Sequence, residues 1–386
     1  MKIGFDSKRI ARNGTGLGSY GRTLVNALSE AAPQYELHLY APDKGREDLC
    51  QQVNAADNIV WCYPSGMTFR LQRDLWRMRG MVKDLQRDDI DIFHGLSGEL
   101  PHGLRKAGIR SIVTIHDLIF LRHPEYYNWI DVEIYHHKFR QTIKEADVIV
   151  AISECTKRDI MAYSDVPEDR IKVIYQSCST RFCHEVDSRT RKDVARRYVL
   201  PRRYVLQVGT IEERKNAMLT VRALPLLPED VHFVLVGRQT AYADKVRREA
   251  EKLGVNDRVL FLSGVPNDDL YAIYQQASVF VYPSRYEGFG IPVIEAIQSY
   301  LPVVAATGSC LEEAGGPDCL YVDPDDHKAM ASAIMQMMPV GTDINYDDAE
   351  GHNRSIRERI SRSRDYVTRF ENNDVARQWI ELYSSL

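Results

Sequence analysis

Residues 283–296 read PSRYEGFGIPVIEA, and this stretch decides the fold. It follows a short apolar run, 277–282, which is typical of a buried strand, and it ends in a helical pattern with Pro292 near its first position. The two glycines between strand and helix let the backbone approach a ligand closely, and the start of a helix attracts anions. Glu287 and Glu295 bracket the loop with carboxylates suited to sugar hydroxyls. The stretch therefore predicts an anion site with an acid on either side.

The alternation of apolar runs and helical patterns continues through nearly all of the 386 residues. It predicts an α/β fold in which helices wind around parallel sheets. The chain is long enough for two such doubly wound domains, whose ligands lie at the carboxyl ends of the strands. The predicted strands lie near 3–5, 36–40, 59–62, 92–94, 111–115, 148–152 and 172–174, and then near 204–208, 232–236, 259–262, 279–282, 302–305 and 320–322.

Two polar segments interrupt this alternation. The charged stretch 176–203 is the candidate linker between the domains, and 341–354 is predicted as a loop-like break. After this break, 374–386 is predicted as a helix with Asp374 as its cap.

Composition narrows the possible functions. The formal net charge of -4 argues against a nucleic-acid partner held mainly by charge. The seven cysteines are scattered without a C-x-x-C pair, so we expect a reduced, cytoplasmic setting rather than a disulfide framework or a zinc site. We find neither a signal sequence nor an apolar run of transmembrane length, so any membrane contact is expected to be peripheral.

The stretch 283–296 resembles the donor-site motif of the retaining GT-B glycosyltransferases of family 4, which include many mannosyl- and glucosyltransferases of polysaccharide assembly. In that motif two glutamates are separated by seven residues, and Glu287 and Glu295 match them with E-G-F-G-I-P in the same frame. The resemblance implies two Rossmann-like domains facing each other across a cleft. These would be an acceptor-side domain, 1–180, and a donor-binding domain, 181–368, with a last helix, 369–386, packing back on the first.

The resemblance also implies roles for the loop. Glu287 would bind hydroxyls of the donor sugar and Glu295 the hydroxyls of the ribose, while amides at the start of the helix would stabilise the leaving diphosphate. The donor-binding residues expected from this motif are Gly288, Phe289, Gly290, Ile291 and Glu295.

A cationic pair follows the predicted strand 204–208. Arg214 and Lys215 are suited to a diphosphate, because arginine can form two hydrogen bonds to it and lysine supplies a point charge. They match an R-K-N found at this place in the family, although many members also have arginine where this chain has Thr210. Two cations at a helix start are otherwise unfavourable, and an anionic ligand would offset their repulsion. We therefore expect leaving-group stabilisation without a metal or other cofactor.

His116 and Asp117 end the predicted strand 111–115, at the edge where ligands lie. From the sequence alone a histidine there is more often structural, but family members carry a histidine at this place that contacts the donor sugar. The resemblance makes His116 a candidate catalytic residue. Asp117 either orients His116 or caps the next turn.

The first domain contains a literal G-x-G-x-x-G at Gly16, Gly18 and Gly21, which suggests a dinucleotide site. Its distance from the preceding strand argues against that alternative. We expect a glycine loop near the donor phosphates or the acceptor, with Gly16 as the candidate contact, or else close packing of the helix start.

Three other segments carry expectations. Val265 follows the strand 259–262 and matches a family segment that holds the nucleobase through main-chain atoms. Two D-x-D strings, 89–91 and 323–325, fit capping and turn roles better than a metal site, and no metal ligand is predicted. The basic, amphipathic stretch 68–87 is either a helix with its apolar face on the core or a peripheral contact with a membrane.

The sequence thus predicts a retaining glycosyltransferase that moves a sugar from a nucleotide-diphosphate donor to a glycan or lipid-linked acceptor. E-G-F-G-I-P is common among mannosyltransferases, which favours GDP-mannose over a UDP-sugar. We favour a front-side route in which the leaving phosphate takes the proton of the acceptor, with Glu287 as a covalent nucleophile as the alternative. Rival functions are a nucleotide-sugar epimerase or phosphorylase on the same fold, a non-catalytic nucleotide-sugar binder and a dehydrogenase.

Overall fold

The structure is a computed structural model that describes residues 1–66, 69–178, 180–339 and 346–386. It contains all thirteen predicted strands, with bounds that differ from the predicted ones by at most one residue at either end. The strands are β1 (Lys2–Asp6), β2 (Glu36–Tyr40), β3 (Ile59–Cys62), β4 (Ile92–Gly95), β5 (Arg110–Ile115), β6 (Val148–Ala151), β7 (Ile171–Val173), β8 (Tyr204–Val208), β9 (His232–Val236), β10 (Val259–Leu262), β11 (Val279–Tyr282), β12 (Val303–Ala306) and β13 (Leu320–Val322).

Helices connect the strands throughout. The α-helices are α1 (Lys8–Arg12), α2 (Gly16–Ala31), α3 (Glu47–Cys50), α4 (Arg70–Leu75), α5 (Met81–Arg87), α6 (Leu104–Ala107), α7 (Ile119–Arg122), α8 (Trp129–Glu145), α9 (Glu154–Tyr163), α10 (Ser188–Tyr198), α11 (Ala217–Ala223), α12 (Ala241–Lys252), α13 (Asn267–Gln276), α14 (Ile291–Gln298), α15 (Leu311–Gly315), α16 (His327–Met337), α17 (Tyr346–Val367) and α18 (Asn372–Ser384). A π-helical turn joins α4 to α5, and single 3-10 turns lie at Pro124–Tyr126, Glu168–Arg170, Thr180–Cys183, Glu213–Lys215, Leu224–Leu226, Asn256–Arg258 and Thr368–Phe370.

The chain forms two compact units, and each has one parallel sheet. In unit 1, Met1–Ser177 with Phe370–Leu386, the order of the strands is β3-β2-β1-β4-β5-β6-β7. In unit 2, Cys178–Arg369, the order is β10-β9-β8-β11-β12-β13. Every strand pair is parallel, and both sheets turn at a central strand from which the order runs outward in two directions. The predicted doubly wound α/β class is confirmed.

The central strands are apolar because helices cover both faces of each sheet. In unit 1 the side chains of Ile3 and Phe5 pack with helix α2 on one face, while Phe93 and Val113 belong to the cluster on the other face. In unit 2 all four residues of β11 are buried. This continuous burial explains why short apolar runs, rather than alternating patterns, marked the strands in the sequence.

Helix α18 belongs to unit 1 although more than half of the chain separates it from β7. It packs on α2, and its Trp379 and Tyr383 are fully buried in the core of unit 1. The Tyr383 hydroxyl lies 2.7 Å from His94 Nδ1, and His94 Nε2 lies 2.8 Å from the Thr114 hydroxyl. Burial, with a smaller effect of His116, lowers the pKa of His94 to about 3, so His94 is a neutral core residue.

Two expectations about the polar segments were wrong in part. Most of the predicted linker 176–203 belongs to unit 2, because Asp187 caps helix α10 and this helix packs on α13. The predicted break 341–354 overlaps helix α17 from residue 346 onward, whereas 341–345 lie outside the described residues. Val194 is the one buried residue of α10, so its periodicity was too weak to reveal a helix. The last helix begins at Asn372, and Asp374 lies in its first turn rather than at its cap.

Helix α4 and helix α5 correct the reading of 68–87 as a helix with one apolar face; Thr68 itself lies outside the described residues. Trp76, Met81, Val82 and Leu85 are buried, as a core-facing helix requires, but Leu71, Leu75 and Met78 are exposed. The π-helical turn Trp76–Gly80 accounts for the difference, because it adds a residue to the turn and rotates the following helix relative to the preceding one. Within the described ranges, no helix combines the length and the hydropathy needed to cross a bilayer.

Candidate active site

The loop 283–290, which the sequence predicts as an anion site, lies between β11 and α14 in unit 2. Helix α14 begins at Ile291 with Pro292 in its first turn, as expected for a residue that lacks a backbone N–H. A Cβ atom on Gly290 would lie 2.8 Å from the Cβ of Ala314, so glycine at this position permits close packing against α15. The loop is therefore fixed from both sides, by the strand before it and by α15 beneath its end.

Glu287 lies in a compact ion cluster. Its Oε1 is 2.5 Å from Lys215 Nζ and its Oε2 is 2.8 Å from Arg214 Nη1. The hydroxyl of Ser284 donates a further hydrogen bond to Oε1. Three residues predicted separately, from two motifs about seventy positions apart, are thus brought into direct contact.

Burial and the neighbouring charges shift the pKa values of all three groups in this cluster. Burial opposes ionisation of Glu287, but Lys215 and Arg214 outweigh it and lower the pKa of Glu287 to about 2. For Arg214 burial is likewise outweighed, and Glu287 and Glu212 raise the pKa of the guanidinium. Burial lowers the pKa of Lys215, although Glu287 offsets part of that effect. The carboxylate is permanently charged at neutral pH, and it keeps two buried cations beside it.

Several residues that the sequence argument missed hold this cluster. Arg214 also bonds the Glu212 carboxylate at 2.8 Å and the Tyr286 carbonyl at 2.7 Å, and Lys215 Nζ donates to the Tyr282 hydroxyl at 2.5 Å. Asn216, in the left-handed backbone region at φ 52°, donates from Nδ2 to the carbonyl of Pro283 at 3.2 Å. These contacts join the segment that carries Arg214 and Lys215 to the strand end and loop that carry Tyr282 and Glu287.

The geometry differs from the expected division of labour between the cations and the acid. The sequence assigned Arg214 and Lys215 to the diphosphate and Glu287 to sugar hydroxyls. In the structure the three groups bind one another, so any phosphate that reaches the cations shares them with Glu287. Such a cluster keeps two cations preorganised at one point before an anion arrives.

The start of α14 offers backbone donors. No acceptor for the N–H groups of Gly290 and Ile291 is found in the part of the chain that the structure describes, as expected at the first positions of a helix. The Cys310 thiol lies 3.1 Å from the Glu287 carbonyl and 2.6 Å from the Phe289 carbonyl. Cys310 therefore holds the loop from its carbonyl side; Gly288 and Phe289 are buried within that loop.

Glu295 stands on α14 in different surroundings. The Tyr274 hydroxyl, on α13, donates to its Oε2 at 2.9 Å. Burial raises the pKa of Glu295 to about 7, and the hydrogen bond from Tyr274 offsets only part of that effect. This carboxyl changes its charge near neutral pH, unlike Glu287.

Val265 follows β10 and is partly exposed between Gly264, in the left-handed region at φ 68°, and Pro266. The guanidinium of Arg247 stacks over the ring of Phe261, with 4.3 Å from Cζ to the ring centroid. Because Val265 follows the end of β10 and the sheet is parallel, it lies at the carboxyl edge of the sheet of unit 2, the same edge as the loop after β11.

His116 follows β5 at the carboxyl edge of the sheet of unit 1. Its Nε2 lies 2.8 Å from the Leu96 carbonyl and its Nδ1 lies 2.7 Å from Nε2 of Gln176. Burial lowers the pKa of His116 to about 4, with a further contribution from Arg9. Asp117 Oδ1 accepts from the Ile119 N–H at 3.2 Å, which is the turn-capping alternative.

The glycine-rich loop of unit 1 serves packing at two of its three positions. A Cβ on Gly18 would lie 1.8 Å from the Asn13 carbonyl oxygen, and one on Gly21 would lie 2.7 Å from the Ile10 side chain. Helix α1 stands between β1 and this loop, which differs from the direct strand-to-loop connection of a dinucleotide fingerprint. Gly16 has open space around it and starts α2, so its candidate role as a ligand contact stays a prediction.

Hydrogen bonds within the fold engage both D-x-D strings. Asp91, just before β4, accepts from the N–H of Lys2 at the start of β1 at 2.8 Å, and Asp323 accepts from the Asp325 N–H at 2.8 Å in a turn. Within the described ranges, the potential metal ligands that cluster are His38, Cys62 and Asp88, whose ligand atoms lie within 4.8 Å of one another. Hydrogen bonds account for this cluster, since Asp88 accepts from Tyr40 and Arg87 while Cys62 lies 3.7 Å from His38.

Comparisons with known proteins agree with these motifs. Residues 14–181 match the family described as Glycosyltransferase Family 4, and residues 190–341 match Glycosyl transferases group 1. The chain is 28% identical to the O-antigen chain mannosyltransferase B of Escherichia coli, over 88% of this chain and 91% of that protein. It is 25% identical to the O-antigen chain mannosyltransferase RfbU of Salmonella typhimurium, over 94% of both chains.

Solved structures agree in fold. The Anabaena protein Alr3699/HepE, solved in complex with UDP, superposes with a TM-score of 0.75 at 16% identity over the full length of both chains. Sucrose-phosphate synthase from Thermosynechococcus elongatus superposes with a TM-score of 0.75 at 21% identity, over 100% of this chain and 98% of that one. With the two family matches and the Glu287, Arg214 and Lys215 cluster, these similarities identify the chain as a GT-B glycosyltransferase of family 4.

Proposed function

We propose that this enzyme transfers a mannosyl group from GDP-mannose to a glycan or lipid-linked acceptor during polysaccharide assembly, with retention at the anomeric carbon. The cluster of Glu287, Arg214 and Lys215 carries the proposal, because it holds two cations ready at the start of a helix. Similarity to the O-antigen mannosyltransferases supports the sugar and the class of acceptor. Similarity to a relative from Mycolicibacterium smegmatis named as GDP-mannose-dependent, at 27% identity over 84% of this chain, supports the base.

In the proposed reaction the bond between the anomeric carbon and the diphosphate oxygen breaks as the acceptor oxygen attacks from the same face. Negative charge grows on the leaving diphosphate, where Lys215, Arg214 and the N–H groups of Gly290 and Ile291 stabilise it. The leaving phosphate oxygen accepts the proton of the acceptor hydroxyl. No step requires a metal ion or another cofactor.

The remaining predicted residues orient the donor. Glu295 would accept hydrogen bonds from the ribose hydroxyls, and main-chain atoms at Val265 would hold the base. Glu287 would bind sugar hydroxyls through the part of its carboxylate that the cations leave accessible. A contact of His116 with the donor sugar, and one of Gly16 with donor or acceptor, rests on the family resemblance.

A donor panel tests the proposal directly. The purified chain is incubated with GDP-mannose, GDP-fucose, UDP-glucose or UDP-galactose, each with and without a mannose-containing oligosaccharide or lipid-linked acceptor, and the released nucleotide is quantified. We expect release of GDP that depends on the acceptor. Conversion of the donor without acceptor to another nucleotide sugar would instead indicate an epimerase, and binding without turnover a non-catalytic binder.

Two further measurements test the finer statements. Proton NMR of the first-formed product reports the anomeric configuration, and retention predicts an α-linkage from the α-configured donor. Addition of EDTA is expected to leave the rate unchanged. Loss of activity with EDTA and its recovery with magnesium or manganese would contradict the metal-independent route.

We also propose a peripheral membrane contact through the exposed apolar residues of 69–78, which suits a lipid-linked acceptor. Phe69 and Leu71 are 70% and 72% exposed, and Leu75 and Met78 are exposed beside them. Apolar side chains on a surface helix can insert at a bilayer interface. The cations of this region give weaker support, because Arg73 is paired with Asp43, at 2.8 Å, and Arg77 with Asp6.

Sedimentation with liposomes tests this contact. We expect wild type to bind vesicles of phosphatidylcholine with phosphatidylglycerol, and the double variant Leu71→Ser, Leu75→Ser to bind less. Leu226→Ser, an exposed leucine in unit 2, is the matched control. Arg77 is left unchanged because it is buried in an ion pair. Equal sedimentation of wild type and the double variant would remove the proposed contact.

A further inference from the structure

His116 has a hydrogen-bond partner near the end of the first segment of unit 1, Met1–Ser177. Gln176 stands in the segment that follows β7, next to Ser177, the residue at which the first part of unit 1 ends. Its side-chain Nε2 lies 2.7 Å from Nδ1 of His116, sixty positions earlier in the chain. No sequence motif pointed to Gln176.

The contact of the other ring nitrogen, Nε2, shows which group donates in the hydrogen bond between Gln176 and Nδ1. His116 Nε2 lies 2.8 Å from the carbonyl oxygen of Leu96, and a carbonyl can only accept. Nε2 must therefore carry the hydrogen. In a neutral imidazole Nδ1 is then an acceptor, so the amide N–H of Gln176 donates to it. The two bonds together select one tautomer and one ring orientation.

The rest of the environment keeps the ring neutral. The ring of Tyr20 on α2 packs edge-on against it with centroids 4.8 Å apart, and the Thr156 hydroxyl of α9 donates to the His116 carbonyl at 3.2 Å. The charged or titratable groups that act on it are Arg9 of α1 and His94 of β4. Burial and Arg9 both lower the pKa of His116, to about 4, so protonation is negligible at neutral pH.

We infer that Gln176 is a positioning residue for glycosyl transfer, because its amide, together with the Leu96 carbonyl, fixes the orientation of His116 and its neutral Nε2–H tautomer. The inference rests on the proposed function and sharpens it. With Nδ1 bonded to Gln176 and Nε2 bonded to Leu96, His116 has no lone pair with which to take the proton of the acceptor. The ring then acts by its shape and position, and the acceptor proton goes to the leaving phosphate.

Two substitutions separate hydrogen bonding from packing. Gln176→Leu keeps a side chain of similar size but has no donor for Nδ1, so the Leu96 carbonyl alone is left to favour the Nε2–H tautomer and the preference is weakened. Gln176→Glu places a carboxylate beside Nδ1, which favours a hydrogen on both ring nitrogens and raises the pKa of His116. Gln141→Leu is the matched control, because Gln141 Nε2 bonds His137 Nε2 at 2.7 Å on the exposed surface of α8.

Long-range ¹⁵N–¹H spectra of protein labelled at histidine read the tautomer without any substrate. We expect His116 of wild type and of Gln141→Leu to show hydrogen on Nε2 alone between pH 6 and pH 8. In Gln176→Leu we expect both tautomers, and in Gln176→Glu a His116 that titrates at higher pH than in wild type. An unchanged His116 spectrum in Gln176→Leu would overturn the inference.

Kinetics at saturating donor give the second readout. We expect kcat of Gln176→Leu to fall by about 10- to 100-fold, as for misplacement of a group at a reacting centre, with Gln141→Leu unchanged. The kcat of Gln176→Glu is expected to fall as pH drops through the raised pKa of His116, a step that wild type lacks. A wild-type kcat in Gln176→Leu would overturn the inference. A wild-type chain that transfers no sugar would contradict the proposed function, while the spectra still decide whether Gln176 fixes the tautomer.

Discussion

The two glutamates of the donor motif have the same side chain and lie in the same loop and helix, yet their surroundings differ. Glu287 binds Lys215 and Arg214, and the pKa of its carboxyl is lowered to about 2. Glu295 receives one hydrogen bond from Tyr274, and burial raises the pKa of its carboxyl to about 7.

The comparison shows that neighbouring cations, rather than burial, determine whether each carboxyl is ionised at neutral pH. Burial opposes ionisation of both carboxyls, but only Glu287 has cations that outweigh it. Glu287 is a fixed charge that holds Arg214 and Lys215 at one point. Glu295 is a group whose charge changes with pH near neutrality.

The largest expected effect comes from breaking the ion cluster. Lys215→Ala removes a cation from the leaving group and leaves the Glu287 carboxylate with Arg214 and Ser284. We expect kcat to fall about 100- to 1000-fold, the usual loss when one preorganised donor to a developing negative charge is removed. Nucleotide release from donor and acceptor is the measurement.

Lys245→Ala is the control for that experiment, because Lys245 forms an exposed pair with Glu213 at 3.5 Å on the same unit. Exposed pairs contribute little, so its kcat and melting temperature should match those of wild type. If Lys215→Ala keeps more than a tenth of the wild-type kcat, the cluster is structural and does not stabilise the leaving group.

A smaller effect should separate the two glutamates by pH. In the free enzyme Glu295 holds its proton below about pH 7, and the ionised carboxylate is the stronger acceptor for the ribose hydroxyls that we propose it binds. Binding of GDP is then expected to release a proton, so affinity should rise by up to about tenfold between pH 6 and pH 8. Titration calorimetry with GDP measures it.

Two variants test the source of that pH dependence. Glu295→Gln should bind GDP more weakly, with an affinity that no longer changes between pH 6 and pH 8. Glu229→Gln, an exposed acid of unit 2, should keep the wild-type profile. A flat profile for wild type would remove the ribose role of Glu295.

The free energy of unfolding should also depend on pH through both glutamates, and the two dependences should have opposite signs. The folded pKa of Glu295 is raised, so the folded chain binds this proton more tightly than the unfolded one, and stability falls as pH rises from about 4.5 to about 7. The folded pKa of Glu287 is lowered, so its contribution is present above about pH 4.5 and is lost as pH falls toward 2. Urea unfolding of Glu295→Gln should lack the first slope and keep the second.

The smallest expected effect comes from Tyr274→Phe, which removes the hydrogen bond to Glu295. That bond favours the carboxylate, so its loss raises the pKa of Glu295 and moves the midpoint of the GDP profile to higher pH. If the bond favours the carboxylate over the protonated acid by about 1 kcal/mol, GDP affinity at pH 7 should fall only a few-fold. A midpoint that moves to lower pH would contradict the assigned direction.

Local patterns in the sequence were enough for the sheets and for the motif. Each strand is a short apolar run buried on both faces, and that signal needs no knowledge of distant residues. The loop 283–296 combines a strand, two glycines and a helix start within a few positions. Its predicted geometry therefore held, with α14 beginning at Ile291.

Contacts between distant positions were beyond the sequence argument. Ser284 and Cys310 carry no motif, and only the fold brings the Cys310 thiol to the carbonyls of Glu287 and Phe289. The same holds for Gln176 and His116. The exposed leucines at 71 and 75 were misjudged because a π-helical turn, which periodicity does not reveal, separates them from the buried half of the helix.

The position of α18 in unit 1 has a consequence for how the chain is made. Tyr383, the hydrogen-bond partner of His94 Nδ1, is synthesised 289 residues after that histidine. At about 5–20 residues per second the ribosome needs roughly 15–60 s to cover that distance. During this interval Trp379 and Tyr383 are missing from the core of unit 1. The first half of unit 1 must therefore wait, with apolar surface uncovered, for the helix that closes it.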